Sequence, residues 1–215
     1  MPKPRLHVLV IRHGETDWNK KRVFQGQTDT QLNDAGRIQA IAVQQALSPI
    51  QLAAVYSSDL SRARETAEII AQPHDLNVQT DIRLREMGFG VFEGQSHEQL
   101  LNSEWADHFA NYKQDPFRNR PPQGERPEEV LERVSTFYRD LCTKHKAGET
   151  VLVAAHGGSC RMLICAAIGA AAELNRHIRL DNCSISELEY HDGFTWVNRL
   201  NDTHHLAAGH IAPVI

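Results

Sequence analysis

The chain has 215 residues, 41% hydrophobic and 23% charged, enough for a sizeable core in an ordinary globular protein. A net charge of −4 and an isoelectric point near 6.3 leave no broad basic field, which argues against nucleic acid and anionic membrane surfaces as main partners; an anion must be held locally. Four cysteines without CxxC spacing, no apolar leader after Met1 and no apolar run of about 18 residues predict reduced thiols in a soluble cytoplasmic protein.

The first element is the apolar run Leu6-His7-Val8-Leu9-Val10-Ile11, which predicts a buried strand. Arg12-His13-Gly14-Glu15-Thr16 follows at once, and such charge cannot stay in an apolar environment, so the chain surfaces at Arg12. In α/β sheets the C-terminal ends of strands are where ligands bind, and a guanidinium, an imidazole and a glycine there suit a phosphate. Leu32-Asn33-Asp34-Ala35-Gly36 carries an N-cap candidate for a helix over 34–47, with apolar residues at helical spacing. Residues 53–57 predict a short buried strand running into Ser58-Asp59, which can cap a helix carrying Arg62, Arg64 and Glu65. Asn77-Val78-Gln79 is a weak strand, and 83–90 mixes charge, aromatics and glycine as an irregular site loop around Glu86.

The stretch 95–124 predicts a lid or insertion: one helix from His97 to Phe109, then a polar, proline-rich connection ending at Pro121-Pro122-Gln123-Gly124. Pro127 suits the first turn of a helix whose Val130, Val134, Phe137 and Leu141 share a face. Residues 150–155 form a further buried strand that delivers His156-Gly157-Gly158 into a helix from Ser159 to Ile168. Two strands, 184–189 and 195–200, join through the hairpin signal Asp192-Gly193. The alternation predicts an α/β protein, a three-layer α/β/α sandwich with a mostly parallel central sheet and an antiparallel edge strand, in a single domain over 1–215.

Right-handed crossovers place strand ends on one sheet edge, so Arg12-His13-Gly14, Asp59 to Arg62 and His156-Gly157-Gly158 converge. Arg12 and Arg62 offer planar forks for phosphate oxygens, and Gly157 and Gly158 offer backbone N–H groups at a helix N-terminus. Neutral His13 can attack phosphorus, protonated His156 can neutralise the equatorial oxygens, and Glu86 can protonate the leaving alkoxide. These readings need no metal or cofactor.

These residues resemble the histidine phosphatase superfamily, also called phosphoglycerate mutase-like. The resemblance rests on Arg12-His13-Gly14-Glu15-Thr16 with Trp18-Asn19, Gln25-Gly26, Ser57-Ser58-Asp59-Leu60 leading to Arg62, Leu84-Arg85-Glu86 with Gly94, and His156-Gly157-Gly158. It implies the phosphoglycerate mutase-like fold, His13 as the phosphorylated nucleophile, and Arg12, Arg62 and His156 as the other phosphate-pocket residues. It further implies Glu86 as proton donor, with Asn19, Gln25 and Gly26 lining the site. Family mutases carry a lysine and paired arginines after the Glu86 region. Here Gly94-Gln95-Ser96-His97-Glu98 lacks the lysine, Asn119 separates Arg118 from Arg120, and the family's frequent Gly-Glu-Ser stands as Gly124-Glu125-Arg126. The chain thus looks more like the phosphatase branch, similar to broad-specificity and α-ribazole phosphatases.

The expected activity is metal-independent hydrolysis of small-molecule phosphomonoesters through a phosphohistidine. A cofactor-dependent phosphoglycerate mutase is the alternative, and a non-catalytic phosphoryl-binding module the alternative of another class. A homodimer is admitted. His204, His205 and His210 read as a solvated tail more readily than as metal ligands, because no cysteine or close carboxylate accompanies them. Arg64 and Glu65 read as a structural pair or as a rim. Trp18, Phe89, Phe92, Trp105 and Phe109 read as packing or as the wall of a pocket for a ring-bearing substrate.

Overall fold

Strand β1, Leu6–Arg12, is apolar on both sides because it is buried on both sides. Its Leu6, Val8 and Val10 meet one hydrophobic cluster, its Leu9 and Ile11 another, and this period of two defines the two faces of a sheet. The other strands are β2 (Ala54–Ser57), β3 (Val78–Thr80), β4 (Thr150–Ala155), β5 (Ile185–His191) and β6 (Phe194–Asp202), in the order β3-β2-β4-β1-β5-β6. The structure is a computed structural model describing residues 4–206.

Helices α2 (Asp34–Leu47) and α3 (Ser61–Ala71) bury Val43, Leu47 and Ile70 on one face. Helices α6 (Pro127–Lys144) and α7 (Gly157–Ala167) bury Val130, Val134, Phe137 and Leu163 on the other. The three-layer sandwich is therefore as expected, with β3, β2, β4 and β1 mutually parallel. The antiparallel part is two strands: β5 pairs with β1 inside the sheet and β6 forms the edge. The register sets Arg12 opposite Ala155 and Ser57 opposite Ala154, so β1, β2 and β4 end on the same edge.

Two local readings are corrected, and one element is added. The helix expected over 97–109 is two helices, α4 (His97–Leu101) and α5 (Ala106–Gln114). Between them Asn102 and Ser103 donate their side chains to the carbonyls of Glu98 and Leu100, while Ser103 Oγ accepts the Trp105 N–H; such local bonds compete with helix propagation. Helix α3 is not capped by Ser58-Asp59: Asp29 accepts the Ser61 N–H at 2.7 Å and its hydroxyl at 2.7 Å, and Asp59 instead pairs with Arg85. A short helix α1 (Asp17–Lys20), unforeseen, is held by a capping box between Thr16 and Asn19. Phe92, Leu100 and Phe109 form a third, smaller apolar cluster under 97–114, with Phe24, Phe89, Trp105 and Tyr112 around it. No helix among the described residues is long and apolar enough to cross a membrane.

The first turn of α2, whose Gly36 N–H Asn33 accepts at 2.8 Å, lies directly on the loop after β1. A Cβ on Gly14 would run into the Gly36 carbonyl, and one on Gly36 into the Glu15 carbonyl. Because both obstacles are backbone, neither can swing aside. Gly36→Ala is expected to destabilise the chain by about 1–3 kcal/mol in urea unfolding. A loss below about 0.5 kcal/mol, the scale of an ordinary surface substitution, would show that the two segments separate freely.

Candidate active site

His13 leaves the sheet just after β1 but keeps its register: its N–H donates to Ala155 O at 2.9 Å, and its carbonyl accepts from Asn182 Nδ2 at 2.9 Å. The next residue is pinned as well, Gly14 N–H donating to Thr66 Oγ1 on α3 at 3.1 Å. The ring, 3% exposed, has Nδ1 2.7 Å from Gly14 O. A carbonyl only accepts, so Nδ1 carries the proton and Nε2 presents a lone pair. Burial first, then the Arg62 and Arg12 guanidiniums, hold this imidazole well below its ordinary value, so it is neutral at pH 7.

Around it stand buried donors. Arg12 donates Nη1 to Leu180 O at 2.7 Å; Arg62 donates Nη2 to Gly26 O at 2.7 Å and Nη1 to Thr28 O at 2.9 Å. These carbonyls fix the guanidiniums without neutralising them. The Nε of each arginine and both ring nitrogens of His156 are buried with no hydrogen-bond partner among the described residues. One unpaired buried polar group costs about 1–3 kcal/mol, so four together mark a place built to receive the polar atoms of a ligand. Burial lowers the Arg62 guanidinium to about 10 and lowers Arg12 as well, the latter helped by neighbouring Arg161; Arg62 still carries its charge at pH 7.

His156, at the end of β4, packs its ring edge-on to His13 with centroids 5.1 Å apart. The expectation of a protonated His156 is corrected: burial, and next Arg62, hold it well below its ordinary value. In this state it is a neutral imidazole that donates from one nitrogen.

Glu86 reaches the site from the irregular loop, and its carboxylate sits on the α7 N-terminus. Oε2 accepts the Gly158 N–H at 3.0 Å, and Oε1 accepts the Ser159 N–H at 3.1 Å and the Met87 N–H at 2.9 Å. Gly158 permits this, since a Cβ there would strike the carboxylate. Its N–H, expected to face phosphate, is thus occupied by Glu86, while Gly157 packs beside the Arg12 guanidinium. Glu86 pairs with neither Arg83 nor Arg85, which bind Asp81 with Asp140 and Asp59 respectively.

The loop's backbone is gripped by Arg133 of α6, which donates to the carbonyls of Arg83, Arg85 and Glu86 at 2.7, 2.6 and 3.0 Å. Glu125 accepts from Arg133 Nη2 at 2.9 Å and from Gly88 N–H at 2.8 Å, so Gly124-Glu125-Arg126 braces the site loop. Sequence reasoning missed Arg133; the available signal was a long cation three residues after Val130 and one before Val134, on the border of a buried stripe. It also missed Thr66 and Asn182, which act on backbone atoms and leave no spacing to recognise.

Asn19, Gln25 and Gly26 join Arg12, His13 and Arg62 around a cavity of about 210 Å³. Asn19 Oδ1 accepts the Thr16 N–H, and Gln25 Oε1 accepts the hydroxyls of Thr16 and Thr30. A second cavity of about 530 Å³ adjoins it, sharing Glu86 and Phe89. Elsewhere, Glu65 pairs with Arg37 and Arg64 with Glu68, away from the cavities. His204 bonds Asp202, His205 bonds the Cys183 carbonyl, and His210 lies outside the described residues. Among the described residues no group of three or more His, Cys, Asp or Glu side chains could hold a metal ion.

A neutral imidazole beside desolvated guanidiniums, at the C-terminal edge of an α/β sheet, defines an enzyme of the phosphoryl-transfer class. The chain belongs to the histidine phosphatase superfamily, branch 1, whose family profile matches residues 8–203, and whose enzymes are phosphatases or mutases. It is 37% identical over 189 residues to the probable phosphoglycerate mutase GpmB of Salmonella arizonae, covering 87% of this chain and 86% of that one. Among solved structures it is similar to YhfR of Bacillus stearothermophilus, with 30% identity, a TM-score of 0.86 and 94% and 100% coverage of the two chains. The α-ribazole phosphatase of Shigella flexneri has 29% identity, a TM-score of 0.85, and 91% and 96% coverage.

The depressed imidazoles make a testable pair. Ring 15N spectra at pH 6 are expected to show His13 and His156 neutral, with His13 as the Nδ1–H tautomer; a midpoint near the ordinary 6.5 for either would contradict the desolvated site. The sign for stability follows, since below about 6.5 the unfolded chain binds protons that these rings refuse when folded. The melting temperature is therefore expected to fall between pH 7 and pH 5.

Proposed function

We propose that the protein is a metal-independent phosphatase that hydrolyses small-molecule phosphomonoesters through a phosphohistidine on His13. The observation that carries this reading is a neutral His13 whose Nδ1 is tied to Gly14 O, so that Nε2 faces a pocket of unpaired buried donors. Phosphoryl oxygens accept from Arg12, Arg62 and His156, while Asn19, Gln25, Gly26 and Gly157 shape the pocket around them. His13 Nε2 attacks phosphorus, the bond from phosphorus to the ester oxygen breaks, and Glu86 in its acid form gives that oxygen a proton. Glu86 then takes a proton from water, which attacks phosphorus, breaks the phosphorus–nitrogen bond and releases phosphate. Donors already fixed by Leu180, Gly26 and Thr28 carbonyls need little rearrangement as charge moves onto the oxygens.

The similarity to proteins described as probable phosphoglycerate mutases favours a second reading, transfer of the phosphoryl group to an acceptor hydroxyl. Against it, Arg118 and Arg120 stand apart from the phosphate pocket, around a separate cavity with His108 and Arg126. Four free cysteines, three of them buried, fit the reduced cytoplasmic setting we attach to this reading.

A phosphomonoester assay in chelator-containing buffer is expected to release inorganic phosphate, and His13→Ala is expected to lower kcat by about 10³-fold or more. Rapid acid-free quenching should trap an acid-labile phosphoryl group on His13. Glu86→Gln should slow alkyl phosphates far more than p-nitrophenyl phosphate, whose leaving group needs no proton. Undiminished activity in His13→Ala, or delivery of phosphate to an acceptor alcohol in place of water, would overturn the proposal.

A further inference from the structure

The larger cavity is unlike its neighbour in chemistry. It is lined by residues of α7 and of the 3-10 turn Ala172–His177 that packs on it, and by Tyr112, Pro116 and Phe117. Arg161 stands on α7 three residues after Gly158, hence on the same helix side, and Arg176 and Arg179 come from the turn and the residues just after it. All three arginines line one space of about 530 Å³, and Glu86 is the one acidic residue in its lining.

These guanidiniums are not spent on the fold. Arg161 and Arg176 make no hydrogen bond or ion pair with another described residue, Arg161 Nε is buried without a partner, and Arg179 comes no nearer than 3.9 Å to Asp181. Three adjacent cations repel one another, and their coexistence on a concave wall is most simply explained by an anion that is not part of the chain. The rest of the lining is largely apolar, with Phe89, Phe117 and Met162 together with Tyr112, whose hydroxyl burial pushes up to about 12 and so keeps neutral. Because Glu86 and Phe89 border both cavities, the space begins where an ester oxygen would leave His13-bound phosphorus.

We infer that this cavity is a leaving-group subsite for phosphomonoesters whose alcohol carries a second anionic group, a carboxylate or a further phosphoryl, beyond an apolar body. This rests on the phosphatase reading above for the direction in which the alcohol departs, but the anion preference can be read by binding alone. Arg161 and Arg176 are the principal anion donors, and Arg179 closes the outer side.

Titration calorimetry with three non-hydrolysable ligands separates the possibilities: phenylphosphonate, 4-phosphonobenzoate and benzene-1,4-diphosphonate. The wild-type chain is expected to bind the second and third about tenfold or more tightly than the first, and the two ligands with a second anionic group report the carboxylate and the phosphoryl source separately. In the Arg161→Met/Arg176→Met double variant the advantage should shrink to under twofold, whereas Arg161→Lys should keep most of it. Each ratio is taken within one protein preparation, so a general loss of folded protein does not imitate the result. Equal affinity for all three ligands in the wild type, or an undiminished advantage in the double variant, overturns the inference. Failure of the phosphatase reading would look different: no phosphate released from phenyl phosphate while the binding preference persists.

Discussion

The structure depends on keeping positive charge dry. Arg12, Arg62, His13 and His156 are packed together where β1 and β4 end and α3 begins, with no carboxylate among the described residues bound to any of them. Left to themselves, desolvated like charges would separate or let water in. They are held largely through backbone: guanidiniums to the carbonyls of Leu180, Gly26 and Thr28, His13 to those of Gly14 and Ala155. The two imidazoles answer the same constraint by staying neutral, which leaves the charge to the arginines. Neutrality is also what the proposed nucleophilic role of His13 requires, so on that reading the electrostatic solution and the chemical competence are one feature.

The sheet makes this possible. Three parallel neighbours deliver residues 12, 57 and 155 to one edge in fixed register, so the pocket is assembled by main-chain hydrogen bonds before any side chain contributes. The approach of α2 to the loop through Gly14 and Gly36 then removes the room a mobile loop would need. Positioning here is a backbone property, and small residues at two points matter as much as the charged ones.

Much of this was legible in the sequence, for a physical reason. Buried parallel strands must be continuous apolar runs, and a run that ends abruptly in Arg12-His13 or His156-Gly157 announces both the strand and the site at its tip. What escaped was whatever is decided by side chains meeting across the fold. The break between α4 and α5 depends on Ser103 and Asn102 choosing local carbonyls over a continued helix, and the α3 N-terminus is served by Asp29 from 32 residues away. His156 was expected to be charged, because its composition is visible in a sequence and its desolvation is not. Arg133 was missed because an arginine on a helix usually faces water, and nothing local says that this one will hold three carbonyls of the Glu86 loop.

Glu86 shows how these levels combine. As a lone loop carboxylate beside two arginines it would be drawn onto Arg12 or Arg62 and would fill the pocket that phosphate is meant to occupy. Two competing attractions prevent this: the Gly158 and Ser159 N–H groups at the α7 N-terminus, and the grip of Arg133 on the loop backbone behind it. The carboxylate is therefore parked at the boundary between the two cavities, close enough to serve an ester oxygen yet bonded away from the guanidiniums. The same helix end that holds it carries Arg161 one turn further on, so the proposed proton delivery and the proposed recognition of the departing alcohol both rest on one rigid element. On the reading and the subsite proposed above, a substrate is selected on the far side of Glu86 and broken on the near side, with α7 spanning the two.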